Sequence, residues 1–246
     1  MTRATTIAPP ERQLSDQPYR LSAVLALLGA VLLAVGTWMH PAHADAGVPT
    51  EAFAEYAADS RAAWVAAHLL QFGGITGMTL ATVLLARAVA GPRGSAWARV
   101  TTVCATAGLA TAAVLQAVDG VALKAMVDLW SGAEEDRSKL FAAALTVRSI
   151  EIGLDALFAL VFAAAFLTFG FGLLTAPAGS KGLGALAVVA AGVGAVNGGT
   201  LAVSGFSTAT MFVTMVSGPL TLVWLLLAAA WSWRRATLPA SSAAHS

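Results

Sequence analysis

The chain has 246 residues, of which 58% are apolar and only 11% are charged, and its mean hydropathy is +0.76. Soluble domains carry about 25% charged residues, so this composition excludes a soluble globular protein and predicts an all-α polytopic membrane bundle. The formal net charge of +1 is uninformative about nucleic acid, but the chain lacks the basic cluster that such binding needs, so no nucleic-acid partner is expected. The single cysteine, Cys104, excludes an intrachain disulfide and a cysteine-rich metal site.

Six segments are long and apolar enough to cross a bilayer, which needs about 20 such residues. The predicted spans are residues 21–40, 64–87, 99–127, 142–175, 183–205 and 211–233. They make up one transmembrane domain, 21–235, between a disordered N-terminal tail, 1–20, and a disordered C-terminal tail, 236–246.

The beginning of the chain also resembles a cleavable signal peptide, with Ala42-His43-Ala44 as the cleavage motif. The apolar run over 21–39 is longer than the 7–15 residues typical of such peptides. This length favours a retained first helix, whereas cleavage would remove His40 and His43.

Basic residues are concentrated on one side of the predicted bilayer. Nine lie there, namely Arg3, Arg12, Arg20, Arg87, Arg93, Arg99, Lys181, Arg234 and Arg235. The other side has four, Arg61, Lys124, Arg137 and Lys139, together with an excess of acidic residues. Because cytoplasmic loops are enriched in lysine and arginine, we expect both termini to be cytoplasmic in the inner (plasma) membrane, with 41–62 and 131–140 external.

The external segments are predicted to form a small helical cap. The stretch PTEAFAEYAADSRAAW reads as a helix with Thr50 as N-cap and with Phe53, Tyr56 and Ala57 on one face. The third and fourth spans are longer than a bilayer requires, so 121–130 and 141–150 are expected to rise above it.

A layer of polar residues is predicted near the external surface. At a rise of ~1.5 Å per residue, Asp119 and Asp155 fall about 30 Å, and His68 about 28 Å, from the cytoplasmic ends of their helices. The residues predicted to bind a ligand or proton are Asp119, Arg148, Glu151, Asp155, His68, Gln71, Gln116 and Asn197. Arg148 is expected to form an ion pair with Glu151 or Asp119. Lys124, about 140° from Asp119 at 100° per residue, is expected to point elsewhere or to extend outward to water.

Three carboxylates against one guanidinium leave this layer acidic, and water, a proton or a bound cation would relieve the imbalance. The leading hypothesis is therefore an outward-facing acidic pocket that binds or transports a small cationic or proton-coupled solute. Two alternatives stay open: a membrane-embedded acid/base or metal-dependent enzyme acting on a lipid or isoprenoid at the outer leaflet, and a structural or accessory subunit of a membrane complex. The expected partners are the lipid bilayer and a small cationic or lipidic ligand, with a homo-oligomer or a partner membrane subunit as further options.

Histidines beside carboxylates also suit a divalent metal ion. The candidate ligands are His68, Glu151, Asp155, His40 and His43. No recognised ligand spacing such as HExxH is present, and a lone helical histidine is more often a hydrogen-bonded polar residue. The cofactor and any catalytic residue are therefore left undetermined by the sequence.

Overall fold

The structure, a computed structural model, describes residues 10–40, 45–91 and 95–237, with side chains from residue 16 onward. In these ranges the chain forms seven helices and no strand. The helices are α1 (Pro10–Met39), α2 (Pro49–Ala58), α3 (Arg61–Val89), α4 (Ser95–Ser131), α5 (Arg137–Thr175), α6 (Lys181–Ser204) and α7 (Thr208–Thr237). All except α2 are long and apolar enough to cross a membrane, which confirms the all-α bundle with six candidate spans.

The N-terminal boundary differs from the prediction. α1 begins at Pro10, so the predicted disordered tail is helical from there to the first span. The cleavage motif Ala42-His43-Ala44 and most of the C-terminal tail lie outside the described residues.

The six long helices pack in a ring in which each contacts the next, and α7 closes the ring against α1. The closest approach between α1 and α3 depends on two glycines. A Cβ at Gly77 would lie 2.9 Å from the Cα of Gly29, closer than a side chain allows. In the interior, the indole of Trp224 packs against Phe166 and Phe169, with ring centroids 4.8 and 5.4 Å apart.

One end of the ring carries α2 and the turn between α4 and α5, and we call it the cap end. Phe53 of α2 is fully buried there among Leu123, Val127, Trp130 and Ala144 of α4 and α5. α4 continues to Ser131 and α5 begins at Arg137, so both helices extend as the length argument predicts. That the cap end faces outward stays a prediction.

The predicted N-cap of α2 is wrong by two residues. Val48 is the N-cap and Pro49 occupies the first turn, whereas Thr50 lies inside the helix. Proline is favoured at the first helical position because its φ angle is already helical and its missing N–H would have no partner there.

α4 is not a regular α-helix throughout. Its segment Val118–Leu123 is a π-helix, flanked by α-helix on both sides. Such π segments are rare and are frequently found at functional sites. This one carries Asp119.

Candidate functional site

The structure brings His68 of α3 against Asp119 of α4. The Nε2 atom of His68 lies 2.9 Å from Oδ2 of Asp119, and the two side chains are 2% and 16% exposed. On the other edge of the imidazole, Nδ1 lies 2.7 Å from the carbonyl oxygen of Trp64. A carbonyl only accepts hydrogen bonds, so Nδ1 carries a proton. Nε2 then faces Asp119 with a lone pair when the ring is neutral, and with a second N–H when the ring is cationic. Nε2 is buried and its contact with Asp119 lacks the alignment of a hydrogen bond.

Two features of the backbone produce this contact. Trp64 precedes His68 by four residues, so its carbonyl lies within reach of the imidazole on the same helical face. On α4, Gly120 lets the π segment come close to α3, because a Cβ at Gly120 would fall 2.8 Å from the Cβ of His68. The indole Nε1 of Trp64 also donates to the carbonyl oxygen of Asp119 at 3.1 Å. Trp64 therefore orients both members of the pair.

A third potential ligand comes from the end of α1. His40 follows Met39, the last residue of that helix, and its ring centroid lies 5.2 Å from that of His68. His40, His68 and Asp119 each offer one ligand atom, and these atoms all lie within 4.8 Å of one another. Three helices thus converge on one small volume.

Aromatic rings form a wall beside these residues. The ring of His40 lies 5.0 Å from that of Trp64, and the ring of Tyr56 lies 4.8 Å from that of Trp64. Burial raises the pKa of the Tyr56 phenol to about 12, opposed by the charge of Arg148 and reinforced by Glu151 and Asp119. The phenol therefore remains protonated at neutral pH and can donate a hydrogen bond.

The environment of Arg148 corrects the sequence prediction. Its side chain is 3% exposed, and Nη2 donates to the carbonyl oxygen of Ala46 at 2.5 Å. The guanidinium carbon lies over three aromatic rings, at 5.4, 5.9 and 5.1 Å from the centroids of Phe53, Tyr56 and Phe206. Among the described residues no carboxylate forms an ion pair with it, so the expected pairing with Glu151 or Asp119 is wrong. Ring faces and a backbone carbonyl replace the carboxylate, since both attract a guanidinium.

Glu151 and Asp155 consequently form no ion pair with any cationic side chain among the described residues. Glu151 is 7% exposed, and its buried Oε2 atom has no hydrogen-bond partner in the part of the chain that the structure describes. Asp119 lies near enough to interact electrostatically with both Glu151 and Asp155, and Arg148 attracts Glu151 without contacting it. The three acids therefore form one cluster, which we call the acidic cluster.

The remaining predicted site residues divide into two groups. Gln116 of α4 donates to Gln71 of α3 at 3.4 Å, so these two join the same pair of helices as His68 and Asp119. Asn197 of α6 instead accepts a hydrogen bond from Thr214 of α7 at 2.9 Å, and no described contact joins it to the acidic cluster. His43 lies outside the described residues.

Lys124 does not pair with Asp119, which agrees with the prediction that it points elsewhere. It forms an ion pair with Asp128, one turn further along α4. The alternative, extension outward to water, is not what the structure shows, because the side chain is only 2% exposed.

Sequence reasoning did not assign site roles to Tyr56 and Trp64. The sequence indicates Tyr56 only as part of the apolar face that it shares with Phe53 and Ala57. The four-residue spacing between Trp64 and His68 is a usable signal, because a helical imidazole can bond to the carbonyl one turn earlier.

No family model, curated protein or solved structure matches this chain. The geometry of the site is therefore the basis for its function.

Proposed function

We propose that this integral membrane protein binds a small cation at the acidic cluster of Asp119, Glu151 and Asp155. The observation that carries the proposal is the buried Oε2 atom of Glu151, which has no hydrogen-bond partner among the described residues. A buried carboxylate without a partner costs several kcal/mol, and a bound cation offsets that cost.

The two permanently charged side chains near the cluster form their described contacts elsewhere, which supports an external cation. Arg148 bonds to the carbonyl of Ala46 and lies against aromatic rings, and Lys124 pairs with Asp128. Neither forms an ion pair with Glu151 or Asp155. The charge that balances these acids is therefore supplied by a ligand, with a proton as its competitor.

Thermal unfolding of the purified full-length protein in detergent tests the proposal. The probes are Na⁺, K⁺, tetramethylammonium, guanidinium, Mg²⁺, Mn²⁺ and Zn²⁺, each added separately. A ligand at 100 times its Kd stabilises by about 2.7 kcal/mol, so we expect at least one of these cations to raise the unfolding temperature by several degrees.

Three variants test whether the acidic cluster is responsible for the stabilisation by the cation. Glu151→Gln and Asp155→Asn should remove the stabilisation, because each deletes a negative charge with little change in shape. Asp136→Asn is the matched control, since Asp136 is exposed and pairs only with Lys139. The proposal is overturned if no cation stabilises the wild type, or if the effect survives in both cluster variants. Uptake of the stabilising cation by proteoliposomes would then distinguish a transporter from a binding protein.

A further inference from the structure

We propose that the bound cation is a divalent transition metal ion, and that its ligands are His40, His68 and Asp119. This inference rests on the proposed function, because it names the class of cation and the atoms that hold it. The ligand atoms of these residues come from three different helices and lie within 4.8 Å of one another.

The ligand types select among metals. Two imidazoles and one carboxylate suit zinc and its neighbours in the first transition series, whereas Mg²⁺ and Ca²⁺ prefer all-oxygen sites. Three protein ligands also leave the fourth position of a tetrahedral ion open for water or a substrate.

His68 is already oriented for this role. Its Nδ1–H is directed to the carbonyl oxygen of Trp64 at 2.7 Å, which turns Nε2 toward Asp119. A ligating histidine characteristically donates its other N–H to a carbonyl or carboxylate, which fixes the tautomer and the ring orientation. Nε2 of His68 is buried, and no described residue offers it an aligned hydrogen bond, as expected of an atom whose partner is an ion.

The geometry needs one adjustment. Ligand atoms bound to a tetrahedral zinc ion at 2.0–2.1 Å are separated by about 3.3 Å. His68 Nε2 and Asp119 Oδ2 are 2.9 Å apart, close to this value. The third ligand atom, on His40, lies within 4.8 Å of the other two, so the proposal requires the His40 side chain to move closer when the ion binds.

The charge balance favours a divalent ion over a monovalent one. When all three acids are ionised and the histidines are neutral, Asp119, Glu151 and Asp155 contribute three negative charges against the one positive charge of Arg148, which leaves −2. A divalent cation at Asp119 cancels this charge. Glu151 and Asp155 then act through space, as acids close to the ion rather than as its ligands.

The test uses full-length protein in detergent that has been treated with EDTA and exchanged into metal-free buffer. Co²⁺ is the first probe, because a tetrahedral cobalt site with imidazole ligands absorbs visible light, and Zn²⁺ is the competitor. We expect one Co²⁺ to bind per chain, Zn²⁺ to displace it, and Zn²⁺ to raise the unfolding temperature.

The variants are chosen to keep the fold. His68→Asn retains a donor for the carbonyl of Trp64 and removes Nε2, Asp119→Asn removes the charge, and His40→Ala removes the ligand at the helix end. Loss of an outer-shell partner typically lowers metal affinity 10–100-fold, so each of these ligand changes should lower it by about 100-fold or more. Asp136→Asn and His245→Ala are matched controls and should leave the affinity unchanged.

Each result has a defined meaning. If Co²⁺ and Zn²⁺ do not bind but another cation stabilises the wild type, the metal inference is overturned and the proposed function stands. If no cation has an effect, both fail. If all three ligand variants retain their metal affinity, the metal binds elsewhere and the assignment is overturned. The assignment is also overturned if the metal affinity depends on His43 and not on His40. If His68→Asn does not fold, His40→Ala decides the matter.

Discussion

Gly120 of α4 lies directly against the imidazole of His68. A methyl group at Gly120 would fall 2.8 Å from Cβ and 2.9 Å from Cγ of His68, distances that real side chains do not adopt. The absence of a side chain at this position therefore sets how closely the π segment approaches α3. It also sets the distance between His68 and Asp119.

We predict that Gly120→Ala separates the two helices and destabilises the protein by about 1–3 kcal/mol, the usual cost of overpacking. Gly153→Ala is the matched control, because a Cβ at Gly153 meets nothing within 4 Å. Replacing that helical glycine should stabilise by up to about 1 kcal/mol. Unfolding by SDS titration measures both changes. Equal effects of the two substitutions would contradict the role assigned to Gly120.

His68 and Asp119 should be energetically coupled. In a double-mutant cycle with His68→Asn and Asp119→Asn in metal-free buffer, we expect a coupling free energy of about 1–3 kcal/mol, as for buried residues in direct contact. The comparison pair is Asp136 with Lys139, which are both exposed and should couple by less than about 1 kcal/mol. If the coupling free energy of the buried pair is no larger than that of the exposed pair, the contact between His68 and Asp119 contributes little to stability.

Arg148→Lys should loosen α2 from the cap end. A lysine at this position keeps the charge but lacks the planar guanidinium that lies against Phe53 and Phe206 while bonding to Ala46. We expect a loss of about 1–3 kcal/mol and faster hydrogen exchange in α2. Arg137→Lys is the control: Arg137 also lies over a ring, that of Trp130, but is exposed. It should change stability by less than about 0.5 kcal/mol. If hydrogen exchange in α2 is the same in Arg148→Lys as in the wild type, Arg148 does not hold α2 against the cap end.

The phenol of Tyr56 should ionise at a pH well above the ordinary pKa of tyrosine. Burial raises its pKa from 10.0 to about 12, so the folded protein holds the phenolic proton more tightly than the unfolded chain does. The stability linked to this proton is complete below pH 10 and is lost as the pH rises through about 12. Because Tyr19 is the only other tyrosine, tyrosinate absorbance in Tyr19→Phe reports on Tyr56 alone.

Stability measurements test the same shift. Between pH 10 and 12 the wild type should lose stability relative to Tyr56→Phe, which has no proton to release. Parallel pH profiles of the two proteins would show that Tyr56 titrates as it does in the unfolded chain.

The membrane orientation can be tested by cysteine labelling in a Cys104→Ala background. If the cap end is external, cysteines at Ala46 and Glu135 should react with impermeant reagents in intact cells. A cysteine at Ala178, in the loop between α5 and α6 at the opposite end, should react only after permeabilisation. The reverse pattern would invert the topology, and the acidic cluster would then face the cytoplasm.

The distance of each residue from the cytoplasmic end of its helix, at ~1.5 Å per residue, predicts part of the site. It placed His68 and Asp119 at nearly equal heights, and the structure shows their side chains 2.9 Å apart. The same measure placed Asn197 in that layer, yet Asn197 bonds to Thr214 between α6 and α7. Position along a helix gives the height of a residue, but not which part of the ring its side chain faces.

The sequence by itself determined the class of protein and the number of long apolar helices, because bilayer spanning depends on local hydrophobicity and length. It also indicated the extension of α4 and α5 beyond the spans, for the same reason. Only the tertiary structure decided that Arg148 lies among aromatic rings and that Lys124 is buried. The first depends on where α2 packs, and the second on how the end of α4 packs against α2 and α5. Because Arg148 lies among the rings, Glu151 has no ion-pair partner among the described residues, and this defines the candidate site.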